Sequence, residues 1–123
     1  MFKIAGRAVS DVEPLEYAGG ADGLPLGGAA VMTAGALAKA TGKPTHMIMG
    51  PKRADGKYPA LRVLPTTVFE TISTATVADT LIGSAVTLSA AADGVTATTT
   101  DGVFTITETD GAAGGSTVRG YFA

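Results

Sequence analysis

The fold is decided by the stretch GSAVTLSAAADGVTATTTDGVFTITETDG, residues 83–111, in which Ala, Thr, Val, Gly and Asp dominate. Three Asp-Gly pairs, at 93–94, 101–102 and 110–111, divide or close the stretch. Between alternating runs, Asp-Gly is a strong hairpin signal, because Gly accepts a positive φ and Asp hydrogen-bonds within its own turn. The stretch therefore predicts three short strands joined as a meander.

Alternation within the meander assigns its larger side chains to faces. Val86 and Leu88 share one face of the first strand, since side chains two residues apart lie on the same side of a strand. Phe104 and Ile106 share one face of the third strand in the same way. Residues 116–122, STVRGYF, predict one more strand after the meander.

Upstream of the meander, residues 29–50 predict a hairpin with strands at 30–32 and 36–41 and a turn at 33–35. Ala and Leu propensity would also suit a helix over 32–41, but Gly35 in its middle favours the hairpin. Further strands are predicted at 47–49, 61–64 and 68–72. Residues 50–60 predict a loop, because Pro51, Pro59 and the Asp-Gly pair at 55–56 oppose ladder pairing.

These elements predict a mainly β protein with at most one short helix, folded as a small β-barrel or a β-sandwich-like domain over residues 29–123. Residues 1–28 predict an extended N-terminal arm, because Pro and Gly are dense within it. The arm is expected either to be loose or to lie on a neighbouring molecule, and deletion of residues 1–26 to leave the domain folded but weaken its attachment. The Pro and Gly residues between positions 13 and 28 are Pro14, Gly19, Gly20, Gly23, Pro25, Gly27 and Gly28.

Composition narrows the chemistry that the chain can perform. There is no Cys among the 123 residues, which excludes disulfides, thiolate catalysis and Cys-based metal sites. The only His is His46, so no second His or Cys can join it in a zinc site. Neither a G-x-S-x-G elbow nor a phosphate-binding loop is present. We therefore expect no catalytic residues, no cofactor and no metal.

Charge is nearly balanced over the whole chain but not along it. The formal net charge is −2. Between positions 39 and 62 there are six basic residues and one acid, whereas positions 63–123 carry six acids and one Arg. Two solvated surfaces of opposite sign, or complementary surfaces on neighbouring copies, would both fit. With one aromatic in the basic stretch we expect no nucleic-acid partner, and with no long apolar run we expect no membrane partner.

A family pattern runs through GGAAVMTAGALAKATGKPTHMIMG, residues 27–50, and ALRVLP, residues 60–65. In its glycine-led strand, turn, return strand and short apolar strand, the chain resembles the head decoration (capsid cement) proteins of tailed bacteriophages. The stretch after residue 83 is similar to β-rich modules of phage head-fibre or decoration proteins. The resemblance implies a virion protein on the outer surface of the capsid, bound to the major capsid protein, often as a homotrimer, with no enzymatic step.

Within this interpretation we expect two contact regions. The arm would lie along a neighbouring molecule, and the basic loop would meet acidic surface. The residues expected to make these contacts are Leu15, Tyr17, Leu24 and Leu26 in the arm and Lys52, Arg53 and Lys57 in the loop.

Two other classes of function stay open at this stage. A fibre or tail adhesin module would bind a host-surface glycan through an exposed aromatic platform. A small enzyme would need a pocket in which His46 meets two carboxylates.

Overall fold

The computed structural model describes residues 1–6 and 15–123. Within these residues the chain forms ten β-strands and a single turn of 3-10 helix at Asp79–Leu81. The strands are β1 (Lys3–Gly6), β2 (Glu16–Gly19), β3 (Ala29–Thr33), β4 (Ala36–Lys39), β5 (His46–Ile48), β6 (Lys57–Arg62), β7 (Val68–Ile72), β8 (Ala85–Val86), β9 (Phe104–Thr109) and β10 (Thr117–Phe122).

The strands form two five-stranded antiparallel sheets that pack together. Sheet I has the order β1-β7-β10-β9-β8, and sheet II has the order β2-β6-β5-β3-β4. The arrangement is sandwich-like and is not a closed barrel. The prediction of a mainly β fold with at most a short helix is thus confirmed, and of its two alternatives the sandwich is the one observed.

Four aromatic rings fill the space between the sheets. The four residues Phe2, Phe69, Phe104 and Phe122 are buried, and five of their six pairs have ring centroids 5.0–6.1 Å apart in tilted or edge-on geometry. Such geometry adds favourable quadrupole contacts to the burial of apolar area. The rings come from four different segments of the chain, so this cluster ties the start of the sequence to its end.

Sheet II has a second apolar cluster on its other face. Leu37, Ile48 and Tyr58 are buried there, and Leu24 covers them from the segment between β2 and β3. The Tyr58 hydroxyl donates to the Ala21 carbonyl (2.8 Å) and accepts from the Leu24 amide (3.3 Å). Both faces of sheet II therefore contribute to the stability of the fold.

Two strands of the N-terminal segment, β1 and β2, belong to the two sheets. β1 pairs with β7 and β2 pairs with β6, while Phe2 lies in the aromatic cluster. The expectation of a removable arm over residues 1–28 therefore differs from the structure. Residues 1–5 alternate apolar and polar weakly, but Phe2 is large enough for its burial to fix this strand in place. Residues 7–14 lie outside the described part of the chain.

The hairpin predicted upstream is confirmed, and the helix alternative is wrong. β3 and β4 pair through the register Met32↔Leu37. The turn residues Ala34 and Gly35 have φ of 52° and 82°. A two-residue turn with positive φ at both positions matches the right-handed twist of the strands that it joins.

Two other strand assignments are corrected. β6 begins at Lys57 and includes Pro59, which was expected in a loop. The Pro59 carbonyl still accepts a hydrogen bond from the Met49 amide (2.9 Å), just beyond the end of β5. The sheet tolerates Pro59 because its missing N–H removes only one hydrogen bond, at the end of the pairing between β5 and β6. The predicted return strand of the meander is not regular: only the bridges Leu88↔Val95 and Ser73↔Val95 form there.

Candidate partner-binding surface

The two contact regions expected from separate parts of the sequence meet in the structure. The Arg53 guanidinium lies over the Tyr17 ring, 4.5 Å from its centroid. Lys52 Nζ donates to the Gly20 carbonyl (3.2 Å) and pairs with Asp22 Oδ1 (2.6 Å). We call this patch the Tyr17 surface and define it as Leu15, Tyr17, Asp22, Lys52 and Arg53.

The loop between β5 and β6 holds its basic residues in a defined turn. The Arg53 amide donates to the Lys57 carbonyl (2.8 Å), and the Lys57 amide donates to Asp55 Oδ1 (3.1 Å). Gly56 makes the turn with φ of 80° and donates back to the Arg53 carbonyl. The loop therefore presents Arg53 from a hydrogen-bonded hairpin end rather than from an unsupported chain.

Exposure separates the predicted contact residues into two groups. Leu15, Tyr17 and Leu26 are 42%, 50% and 52% exposed, which is high for large apolar side chains. Lys52, Arg53 and Lys57 are exposed as well. Leu24 differs: it is partly buried on the second apolar cluster, where it anchors the segment that carries Asp22. Leu24 therefore supports this segment, and its contact with a partner stays a prediction.

Backbone pairing connects the Tyr17 surface to an apolar groove. Tyr17 lies opposite Pro59 on β6, and the amide of Met49, just beyond the end of β5, donates to the Pro59 carbonyl. Met49 and Leu26 line a groove of about 260 Å³. Its other lining residues are Met1, Phe2, Lys3, Ile4, Gly27 and Ile48.

The basic loop is less positive than its sequence suggests. The ion pair between Lys52 and Asp22 lowers the pKa of Asp22 and raises the pKa of Lys52 through their hydrogen bond. Arg53 is paired with Asp55 at 3.2 Å. Because Asp22 comes from the N-terminal segment, counting charges within the basic stretch alone missed it.

A second polar cluster was missed by the sequence analysis. His46 Nε2 lies 2.6 Å from Glu16 Oε2, and Arg62 Nη2 donates to Glu16 Oε1 at 2.5 Å. His46 is buried, and its Nδ1 lies 2.9 Å from the Thr45 hydroxyl. No sequence signal links positions 16, 46 and 62, because only the pairing of three strands brings them together.

The cluster stabilises the edge of sheet II. Glu16 lies on β2 at the edge of the sheet, and its two carboxylate oxygens contact β5 and β6. The hydrogen-bonded chain of Thr45, His46 and Glu16 has the same order of groups as a catalytic triad: a nucleophile, a base and a carboxylate that orients the base. However, the Thr45 hydroxyl also accepts the Met32 amide at 2.9 Å. Because all of these contacts are made within the sheet, we assign the cluster to holding β2, and with it Tyr17, in place.

Acid is expected to weaken this link. The hydrogen bond from His46 lowers the pKa of Glu16 below its usual 4.5, with a further contribution from Arg62. A depressed carboxyl pKa stabilises the fold above the unfolded-state value and loses that contribution as the pH falls through the folded-state value. Since 32% of the Glu16 side chain is exposed, we expect less than about 1 kcal/mol. Urea unfolding at about pH 6 and about pH 3 should show a smaller acid-induced loss in Glu16→Gln than in the wild type.

Neither a metal site nor a membrane span is found in the described part of the chain. Residues 1–6 and 15–123 contain no group of three or more His, Asp or Glu side chains placed to bind a metal ion. No helix within the same residues is long and apolar enough to cross a membrane. The chain matches no protein-family model, no curated protein and no solved structure.

Proposed function

We propose that this chain is a structural virion protein that binds the major capsid protein on the outer surface of an assembled phage capsid and stabilises contacts between capsomers. The observation that supports the proposal is the stacking of Arg53 on Tyr17. Through it, two regions expected separately to make contacts lie side by side at the edge of sheet II.

The chemistry of the Tyr17 surface suits binding to another protein. Tyr and Arg are enriched at the energetic centres of protein interfaces, where a large side chain can be desolvated while its polar end stays hydrogen-bonded. Tyr17 is half exposed, and the exposed Leu15 lies two residues before it. Arg53 already covers one face of the Tyr17 ring, so the stacking platform that a glycan adhesin requires is partly occupied.

The apolar groove offers a second area of contact on the same body. It contains the exposed Leu26 and lies between the edge strand β1 and the end of β5. A protein that holds two capsomers together needs two areas of contact at a fixed separation. Many copies bound at once would multiply modest individual contacts.

Calorimetry of capsid shells tests the proposal. Shells assembled from the major capsid protein should melt at a higher temperature after this chain is added, because a ligand that binds only the assembled state stabilises it. The matched control is the same shell with an unrelated small β-sandwich protein at equal concentration. An unchanged melting temperature at saturating chain would overturn the proposal.

Charge reversal at the basic loop should weaken attachment in a salt-dependent way. We expect Lys52→Glu combined with Arg53→Glu to reduce shell affinity about tenfold at low ionic strength, and less at high ionic strength, where exposed charges are screened. Lys39→Glu combined with Lys43→Glu is the control, since it makes the same charge change on β4 and in the loop that follows it. If both double variants bind shells with equal affinity in low-salt cosedimentation, the basic loop is not part of the interface.

A further inference from the structure

The outer face of sheet I carries a row of charges that alternate in sign. In the sheet register, Lys3 lies opposite Glu70, Glu70 lies opposite Arg119, and Arg119 lies opposite Glu108. Arg119 Nε donates to Glu70 Oε1 (3.1 Å), and Arg119 Nη1 lies 4.0 Å from Glu108 Oε2. We call these four side chains the charged row; from β1 to β9 its signs read plus, minus, plus, minus.

This face is open in the described structure. The side chains of Glu70, Arg119 and Glu108 are 31%, 47% and 70% exposed. Beside the row, Ile72 is 60% exposed, the highest value among the exposed large apolar side chains of the described residues. Two shallow depressions, of about 270 and 420 Å³, lie along the row, and Glu70 and Thr117 line both. A single exposed apolar side chain is common on protein surfaces, so the order of the charges in the row carries the argument.

We infer that this face binds the same face of a second copy of the chain, about a two-fold axis that runs parallel to the strands between β7 and β10. Such a rotation reverses the order of the row. The row reads plus, minus, plus, minus, and the reversed row of the partner reads minus, plus, minus, plus. Each charge therefore faces a charge of opposite sign. Lys3 would face the partner's Glu108, and Glu70 would face the partner's Arg119.

The same axis also pairs the side chains beside the row. The axis places β7 of one copy over β10 of the other. Each β7 residue then covers, in the partner, the β10 residue with which it pairs within its own chain. Ile72 would therefore cover the partner's Thr117, because Ile72 and Thr117 are paired within one chain. One step along the strands beyond the pair Phe69↔Gly120, Val68 would cover the partner's Tyr121. Apolar contacts on both sides of the charges would limit the access of water to them.

The neutrality of the row favours a second copy over an unrelated partner. Two positive and two negative charges give no net attraction to an acidic or a basic surface, and only a surface with the inverse order finds four favourable pairs. A two-fold contact of this kind is isologous, which is the commonest arrangement in soluble oligomers. It uses a face other than the Tyr17 surface, so it does not depend on capsid binding.

A charge swap in the isolated chain tests the inference by sedimentation equilibrium. Lys3→Glu alone and Glu108→Lys alone each place like charges across the axis, and each should weaken the dimer about tenfold at low salt. The double variant Lys3→Glu/Glu108→Lys restores opposite charges across the axis, so it should recover the affinity of the wild type. Within one chain the double variant has more like-charge repulsion than either single variant, because it puts Glu beside Glu70 and Lys beside Arg119.

Three outcomes decide the matter. Recovery of dimerisation in the double variant supports the two-fold contact, since an effect on folding alone would be additive. A wild-type chain that stays monomeric up to about millimolar concentration at low salt, where screening is weakest, would overturn it. A trimer whose affinity none of the three variants changes would overturn it as well. None of these results bears on capsid binding, because no shell is present.

Discussion

Replacement of Phe2 by Ala is expected to lower the free energy of unfolding by about 3–5 kcal/mol, the usual range for truncating a buried Phe. The Phe2 ring is 3% exposed and lies 5.5 Å from the centroids of both Phe104 and Phe122. Its removal leaves a cavity among rings that are fixed by the strands of sheet I. Because a domain is stable by only about 5–15 kcal/mol, the loss would leave little margin.

Urea unfolding followed by circular dichroism measures this effect. Leu26→Ala is the matched control, since Leu26 is also a large apolar residue of the N-terminal segment but is 52% exposed. Deletion of residues 1–6 should destabilise the fold more than Phe2→Ala, because it also removes β1 from the edge of sheet I. If the deletion variant unfolds at the same urea concentration as the wild type, residues 1–6 are a separable arm, which would contradict the role of β1 in sheet I.

Replacement of Gly120 by Ala should destabilise the fold by about 3 kcal/mol through overpacking. Gly120 lies on β10, between β7 and β9 in sheet I. An added Cβ would lie 2.8 Å from the Phe104 ring and inside contact distance of the Thr105 carbonyl oxygen. Neither neighbour can withdraw, because one belongs to the aromatic cluster and the other to the backbone of the adjacent strand.

Gly42→Ala provides the comparison for Gly120→Ala. A Cβ at Gly42 would meet nothing within 4 Å, and its backbone φ is not positive. We expect its effect to stay within about 0.5 kcal/mol. Similar unfolding midpoints for the two variants in thermal or urea denaturation would show that β10 can move away from β9, against the close packing described above.

Local patterns were enough to predict much of the secondary structure. The hairpin of β3 and β4 follows from a turn that needs positive φ, and β9 follows from the alternation of Phe104 and Ile106. The segment after β8 was predicted less well, because Ala and Thr differ too little in hydrophobicity to mark an inner and an outer face. There the chain buries Leu88, Ala92 and Val95 in a compact irregular loop instead.

Pairing between distant segments could not be predicted from local patterns. Lys3 pairs with Glu70, and Glu16 reaches His46 and Arg62, although nothing near these positions in the sequence indicates it. The same limit applies to the contact surface. Its residues were expected in two separate regions, but the stacking of Arg53 on Tyr17 and the supporting position of Leu24 depend on how the sheets assemble.

Cosedimentation with capsid material tests the central proposal, binding to an assembled capsid through the Tyr17 surface, most directly. Assembled shells and isolated subunits of the major capsid protein would be incubated with the wild-type chain and with Tyr17→Ala/Arg53→Ala. We expect saturable binding of the wild type to shells, little binding to subunits, and a clear loss of shell binding in the double variant. Equal binding of the wild type and the variant to shells, or no binding of the wild type, would contradict it.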